Sequence, residues 1–392
     1  AAQIREKEAA YQTLLTTDHY QSQRLEYDLW TAAFFWPIPE TDADFMLAPT
    51  QQELLRLRKG ENLDAELTRR LQAIAEKQRF FHWEIEFPTV FAGGDPGFDV
   101  VLGNPPWERI RFQEKEFFAG LNDEIADASN KAVRSQLIDT LQKENNLLWE
   151  LFKSTKHSAE AGSNFFRCCN RFSRTAVGDI NTYQLFAELV TTVQADSSRS
   201  GIIIPTGIST ADSTKNFFEF LVSNNMLVSL FDFLEARDFF IGLESRDPFC
   251  LFTIRGKSNQ TEIIEFVFKM LEIHELHHKL RKVRLLPSDF ELLNPNTKTC
   301  PIFYTNADTQ ITKKVYSSVP VLDNAAASQN PWQSSFLRMI DMSLDSNLFI
   351  ENPQQKYFSL YESKYIHLFD HRWAFHDGTD AKNLSLQEKQ NP

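Results

Sequence analysis

Residues 98–107 read Phe-Asp-Val-Val-Leu-Gly-Asn-Pro-Pro-Trp, and this stretch constrains the fold more than any other. The apolar run 100–102 ends at Gly103; an amide, two prolines and a large aromatic follow. Proline has no N–H to give to a ladder and holds φ near −65°, so a strand cannot continue past Asn104. A buried strand that stops at a rigid polar turn puts that turn at the carboxyl edge of a sheet, where open α/β sheets bind ligands.

The turn carries its own chemistry. Asn104 offers a side-chain acceptor, the carbonyls of Pro105 and Pro106 are pre-aimed acceptors, and Trp107 supplies a flat face. Two acceptors and a stacking plane suit an exocyclic amino group on a flat ring, such as N6 of an adenine turned out of a duplex. The plainer alternative is an ordinary strand-ending turn, since Asn and Pro favour turns anyway. The aromatic directly after the prolines and the wholly apolar strand before them weigh against it.

Around this feature the chain alternates. Residues 1–85 predict helices: Thr50-x-x-Glu53 is a capping-box pattern, and 54–80 is charged with apolar positions at helical spacing, interrupted near Gly60. The turn 92–97 leads into a strand at 98–102. Residues 108–178 are polar and helical, an insertion between core elements. A helix is expected at Thr182–Val193 and strands at 201–205, 226–233 and 249–254, with 262–267 as an added strand. Asp212, Ser213 or Thr214 is placed to cap a helix over 215–223. Such alternation predicts an α/β layered core. The pattern loosens after 270, with Pro and Asn turn signals over 285–332. The expected division is a helical region (1–85), a core with its insertion (86–270), a connecting region (271–354) and a further region (355–392).

Charge and composition exclude several classes. No apolar run approaches the length of a membrane span and no signal-peptide pattern is present, so a cytoplasmic protein without membrane attachment is expected. The four cysteines, Cys168, Cys169, Cys250 and Cys300, show no Cys-x-x-Cys spacing, which fits buried thiols in a reducing compartment; the vicinal Cys168-Cys169 is read as inert packing. A net charge of −12 argues against a general duplex-coating protein, yet leaves room for an enzyme that confines its cations to a cleft. The absence of an initiator Met, and a first stretch that reads like the middle of a charged helix, give the expectation of a piece of a longer protein.

Asn-Pro-Pro-aromatic after a hydrophobic strand resembles the catalytic motif of S-adenosylmethionine-dependent amino-methyltransferases. The longer stretch from Phe81-His82-Trp83-Glu84-Ile85-Glu86-Phe87-Pro88 to Asn104-Pro105-Pro106-Trp107-Glu108 resembles the large N6-adenine DNA methylases of type IIG restriction–modification and related phage-defence systems. The similarity continues through Gly178-Asp179-Ile180-Asn181-Thr182-Tyr183-Gln184-Leu185-Phe186 and Gly201-Ile202-Ile203-Ile204-Pro205-Thr206-Gly207-Ile208 to Leu360-Tyr361-Glu362-Ser363-Lys364 and Phe369-Asp370-His371-Arg372.

That resemblance implies an α/β fold, a partial Rossmann-like class I methyltransferase sheet with helical additions, in which strand 249–254 is antiparallel and the strands of the sheet's other half are missing. It implies that Asn104 and Pro105 accept hydrogen bonds from the adenine amino group, with Pro106 and Trp107 completing the catalytic motif and Trp107 stacking on the base. Asn rather than Ser at the first position points to adenine over cytosine. Phe240, within Asp238-Phe239-Phe240-Ile241-Gly242, is the candidate for the opposite face of the base, with Phe239 as its close rival. Asp179, Asn181, Tyr183 and Phe186 match a helix start that lines the S-adenosyl-L-methionine pocket; the plainer reading is an N-cap Asp followed by packing residues. Double-stranded DNA is the implied partner, 355–392 the implied start of a target-recognition domain, and a restriction nuclease domain an implied neighbour in the missing part of the chain. The family's cofactor loop, a strand followed by Gly-x-Gly, does not occur here: Gly93, Gly94 and Gly97 precede their strand. In the family order that loop lies before the Asn-Pro-Pro motif, hence upstream of Ala1, and this piece alone is expected to be inactive.

Two rival functions follow from the same residues. Protein-glutamine N5 methyltransferases also grip a primary amide with Asn-Pro-Pro-Tyr, but the stretch from Trp107 to Gly201 exceeds what so compact a domain needs. A recognition remnant that binds DNA without methylating it would account for the missing glycine loop. His274-Glu275-Leu276-His277-His278 fits the His-Glu-x-x-His zinc pattern. Lys279, Arg281, Lys282 and Arg284 follow at once and oppose a dication, so it is read as a basic, solvated face and no metal site is assigned.

Overall fold

The strand-and-turn logic of residues 98–107 is realised in a six-stranded mixed sheet. The computed structural model describes residues 2–38, 41–235, 239–240, 247–258 and 263–322, with 324, 330–335 and shorter stretches beyond, among them 374–376 and 381–385. The strands are β1 (Phe98–Gly103), β2 (Gln194–Pro205), β3 (Leu227–Phe233), β4 (Phe249–Arg255), β5 (Ile264–Met270) and β6 (Val283–Leu285), in the order β1-β2-β4-β3-β5-β6. The expected strands are all present, and β4 runs antiparallel to both β2 and β3, as the resemblance implied. β1 is parallel to β2, and β3 to β5. Four strands therefore point one way, and the carboxyl ends of β1, β2, β3 and β5 share an edge with the start of β4.

Three strand details differ from expectation. β1 is not a buried strand: it pairs only with β2 at the sheet margin, leaving Val100 60% and Leu102 77% exposed. β2 begins at Gln194, well before its apolar run. Its polar start is held as a strand because Asp95 takes hydrogen bonds from the Asp196 N–H (2.6 Å), the Ser197 N–H (3.1 Å) and the Ser197 hydroxyl (2.6 Å). These donors, the Ser197 hydroxyl foremost, hold the Asp95 carboxyl below its usual range. The sheet also does not stop near 270: β6 pairs antiparallel with β5, and Val283, Leu285, Phe290 and Phe303 join the main core. β6 is too short to show period-2 alternation in the sequence.

Phenylalanine dominates that core, with Phe217, Phe218, Phe252, Phe266, Phe268 and Phe290 all fully buried. The helices Thr182–Val193 and Lys215–Ser223 cover the sheet with apolar faces. Thr214 sits at the cap position of the second but does not cap it; its hydroxyl donates back to the carbonyls of Gly207 and Ala211. The capping box at Thr50 and Glu53 forms as expected. Cys250 and Cys300 are buried, and burial pushes both thiols well up; Cys168, against expectation, is exposed.

The chain before β1 is helical, from Ala2–Leu15 to Trp83–Glu86. The stretch that carries the resemblance is clamped to it: His82 Nε2 lies 2.8 Å from Asp28 Oδ1, and Glu86 takes hydrogen bonds from the hydroxyls of Tyr11 (2.6 Å) and Tyr20 (2.8 Å). The bond to Glu86 drives Tyr11 up to about 12. Between β1 and β2, the helices Glu114–Phe118, Asp123–Ala126, Lys131–Glu144 and Asn146–Cys168 enclose a separate core of Phe118, Ile125, Ile138, Leu141 and Phe152. Among the described residues no helix is long and apolar enough to cross a membrane.

The chain divides into a large unit, 1–332, and a smaller one, 333–392. In the smaller unit Ala374–His376 pairs antiparallel with Ala381–Asn383. Leu360–Lys364 and Phe369–Arg372 of the resemblance lie outside the described residues, as do Asp238, Ile241 and Gly242.

Gly97 marks where β1 is delivered to the sheet. Its φ is +127°, and a Cβ there would stand 2.5 Å from the Ala195 nitrogen. Gly97→Ala therefore meets both backbone strain and a backbone clash. The expected cost is about 3 kcal/mol, read as a lower midpoint in chemical denaturation; an unchanged midpoint would show that β1 enters the sheet another way.

Candidate active site

The two prolines end the β1 ladder, and the chain beyond finds a new partner at once. The Ile110 N–H donates to the Ile180 carbonyl (2.9 Å), the Thr182 N–H to the Glu108 carbonyl (2.8 Å), and Arg109 bridges Asn181 antiparallel. Thr182 is the centre of this join. Its hydroxyl donates to the Pro106 carbonyl at 2.6 Å and accepts from the Glu108 N–H at 3.0 Å. Of the two expected proline acceptors, Pro106 is thus already engaged. The Pro105 carbonyl and the exposed Asn104 side chain have no partner among the described residues, so of the acceptors expected from the turn these stay open to a ligand.

Asn181 and Tyr183 serve the same join. Asn181, not Asp179, is the N-cap of the helix Thr182–Val193. Its side chain accepts from the Tyr183 N–H, and its amide donates to the Trp107 carbonyl at 3.4 Å. Tyr183 is buried, its hydroxyl accepts from Gln184 at 3.2 Å, and burial raises its phenol above the usual range. Asp179 and Phe186 are exposed.

Trp107 is half-buried. Its Nε1–H donates to the Ile203 carbonyl (3.4 Å), and its ring stacks with Phe249 at 6.4 Å and 28°. Phe240 meets it edge-on at 6.2 Å and 85°, so the two rings stand perpendicular rather than as parallel walls. Asn104, Pro105, Pro106, Trp107, Glu108 and Phe240 line one open hollow of about 400 Å³. Phe239 does not line it; its ring packs against Phe233 at 4.8 Å. Behind the hollow, buried Asp232 accepts from the Thr206 hydroxyl (2.5 Å) and the Lys269 N–H (3.0 Å), tying β2, β3 and β5 together at the carboxyl edge.

The residues expected to line a cofactor pocket and those expected to grip the base are joined by hydrogen bonds, with Thr182 between them. Thr182 was not singled out from sequence; the available signal was its place directly after an N-cap Asn in the resembling stretch. The His274 segment forms a 3₁₀ turn, Ile273–His277. There Glu275 is occupied by the N–H groups of Leu271 and Glu272 and by Arg281 at 2.8 Å. No metal-holding group of His, Cys, Asp and Glu occurs among the described residues.

Sheet order and edge turn together define the class: an α/β protein with a partial Rossmann-like mixed sheet and helical additions. Residues 27–152 match the family model described as Eco57I restriction-modification methylase, and the chain resembles the restriction–modification methylases. No curated protein matches it. Among solved structures, the type IIG restriction endonuclease BpuSI is similar at 16% identity over 67% of this chain and 28% of its own, with a TM-score of 0.27. The type I restriction-modification methyltransferase subunit from Streptococcus thermophilus is similar at 12% over 40% and 28%, TM-score 0.22. The ATP-dependent Type ISP restriction-modification enzyme LlaBIII, bound to DNA, is similar at 10% over 53% and 11%, TM-score 0.24. The chain thus spans well under a third of each of these three proteins.

Thr182→Val keeps shape and removes both hydrogen bonds to the motif. With each bond worth about 0.5–1.5 kcal/mol net, amide exchange at Glu108 and Ile110 should quicken by about tenfold or more while the amides of β3 and β5 stay protected. Unchanged exchange at Glu108 would mean that Thr182 does not hold the turn.

Proposed function

We propose that this chain carries the substrate-gripping part of an adenine-N6 DNA methyltransferase of a restriction–modification or phage-defence system, with S-adenosyl-L-methionine as donor and double-stranded DNA as substrate. One observation carries the reading: at the carboxyl edge, Asn104 and Pro105 keep two unused acceptors beside the Trp107 ring. An exocyclic amino group has two N–H donors and sits on a flat ring, so it satisfies both acceptors and the stacking plane together. Gripping both hydrogens holds the nitrogen lone pair out of ring conjugation, which makes it nucleophilic without a general base; the proton leaves after alkylation. Catalysis by these residues is positioning. The rigid join through Thr182 supports that, because a grip that moves loses alignment.

The fit to the cofactor is incomplete. The polar atoms of Asn181 and Tyr183 are bonded within the protein, and Asp179 alone offers an open carboxylate. One carboxylate does not hold a sulfonium nucleoside, so no step is assigned to that group here. A cytoplasmic location and a nuclease domain elsewhere in the protein belong to the same proposal.

In the full-length protein, Asn104→Ala should lower methyl transfer to DNA by about 10²-fold or more and leave binding of S-adenosylmethionine nearly unchanged, measured with labelled donor and by calorimetry. Trp107→Ala should cost about 1–3 kcal/mol in binding DNA that presents an extrahelical adenine. Label appearing in protein instead of DNA, or full activity of Asn104→Ala, would overturn the reading.

A further inference from the structure

Directly beyond the motif the chain lines a second, larger concavity of about 620 Å³. Arg111, Lys115, Lys131, Arg134 and Lys156 line it, against two acids, Glu114 and Glu160. In a chain of net charge −12 this is a local reversal of sign. Cations elsewhere are commonly paired: Arg69 and Arg70 with Glu66, Arg174 with Glu188, Lys298 with Glu219. None of the five in the groove has a carboxylate at ion-pair distance among the described residues. Arg134 gives its Nε–H to the Ile125 carbonyl, and Lys156 stands 5.7 Å from the Phe152 ring centre; neither contact neutralises charge.

Local stability does not account for the arrangement. Lys131 and Arg134 open the helix Lys131–Glu144, which has no acid in its first turn. The dipole of a helix favours anions at that end and disfavours cations, so these side chains stand where an anion would help the helix. The groove is also firmly built, since Phe112 in its lining packs against the aromatic core around Phe118 and Phe152, and Ile110 is pinned to Ile180.

We propose that this groove is the contact surface for the phosphodiester backbone of the DNA whose base enters the Trp107 hollow; the inference rests on the DNA reading above. Position supports it. Arg111 is four residues past Trp107, a span of at most about 14 Å, and each DNA strand carries a phosphate per about 3.4 Å of axis. Arg111 thus reaches phosphates within a few nucleotides of a base on Trp107. The remaining cations extend the positive track away from the hollow.

Backbone contacts release counterions, with a slope of log K against log salt of about −0.9 per phosphate neutralised. The test is fluorescence anisotropy of a labelled adenine-containing duplex with the full-length protein across about 50–200 mM salt. Arg111→Gln, Lys131→Gln and Lys156→Gln combined should make the slope shallower by about 2–3. A control with Lys7, Lys59 and Lys77 changed to Gln should leave it unchanged. The exposed Arg111→Gln alone, which perturbs no packing, should remove about 0.9, so the prediction stands even where the triple variant folds poorly. A wild-type slope in both groove variants would overturn this surface while leaving methyl transfer to DNA untouched. Absence of salt-dependent binding by the wild-type protein would overturn the surface and the DNA reading together. A changed slope in a protein that methylates no DNA would keep the surface and reject the methylase.

Discussion

The structure around the site depends on one loss: Pro105 and Pro106 cannot donate to a ladder. β1 must end there, yet a buried or half-buried backbone has to find partners. It finds them at Ile180–Thr182, the start of a helix whose first turn also has groups to satisfy. The Thr182 hydroxyl answers both needs, donating to Pro106 and accepting from Glu108. The consequence is selective. Pro106 is consumed, and the acceptors of Asn104 and Pro105 are held still and left unpaired. The exposed position of Asn104 makes that tolerable, since water meets the need until a ligand does.

The sheet decides which other residues meet this turn. With β4 reversed between β2 and β3, the edge holding Asn104 also receives the start of β4 and the ends of β3 and β5. Phe249 opens β4 and stacks with Phe233, at 5.0 Å and 9°, and with Trp107. The ring that stacks with Trp107 is therefore placed by strand direction. Were β4 parallel, Phe249 would lie at the opposite edge, away from Trp107. Asp232 secures the same edge from within by accepting from Thr206, directly after β2, and from β5.

Most of this was legible in the sequence where apolar pattern and turn chemistry agree. The strand before Asn104, the helix at Thr182–Val193 and the antiparallel strand from Phe249 follow from runs of apolar residues bounded by breakers, or from the resemblance. The misses have physical causes. The polar start of β2 carries no hydrophobic signal because its backbone is satisfied by Asp95, whose partners lie far along the chain. β6 is too short for periodicity. The role of Asn181 as cap rather than Asp179, and of Thr182 as the clamp, depends on which neighbour the motif meets in space. Phe239 and Phe240 could not be told apart because adjacent residues share every compositional feature and differ only in direction.

The proposed grip and groove also bear on a conflict posed by composition. A net charge of −12 should repel a polyanion, and long-range repulsion acts on approach rather than in contact. Screening in physiological salt limits it to about 8 Å, roughly the reach of a long side chain. Within that distance the local charges decide, and the described surface beside the motif is cationic on balance. Several acids are neutralised elsewhere by ion pairs, such as Glu66 with Arg69 and Arg70 and Glu188 with Arg174. An acidic chain can thus present a cationic track, because net charge is a sum over the whole surface while the five groove cations stand together without a carboxylate at ion-pair distance among the described residues.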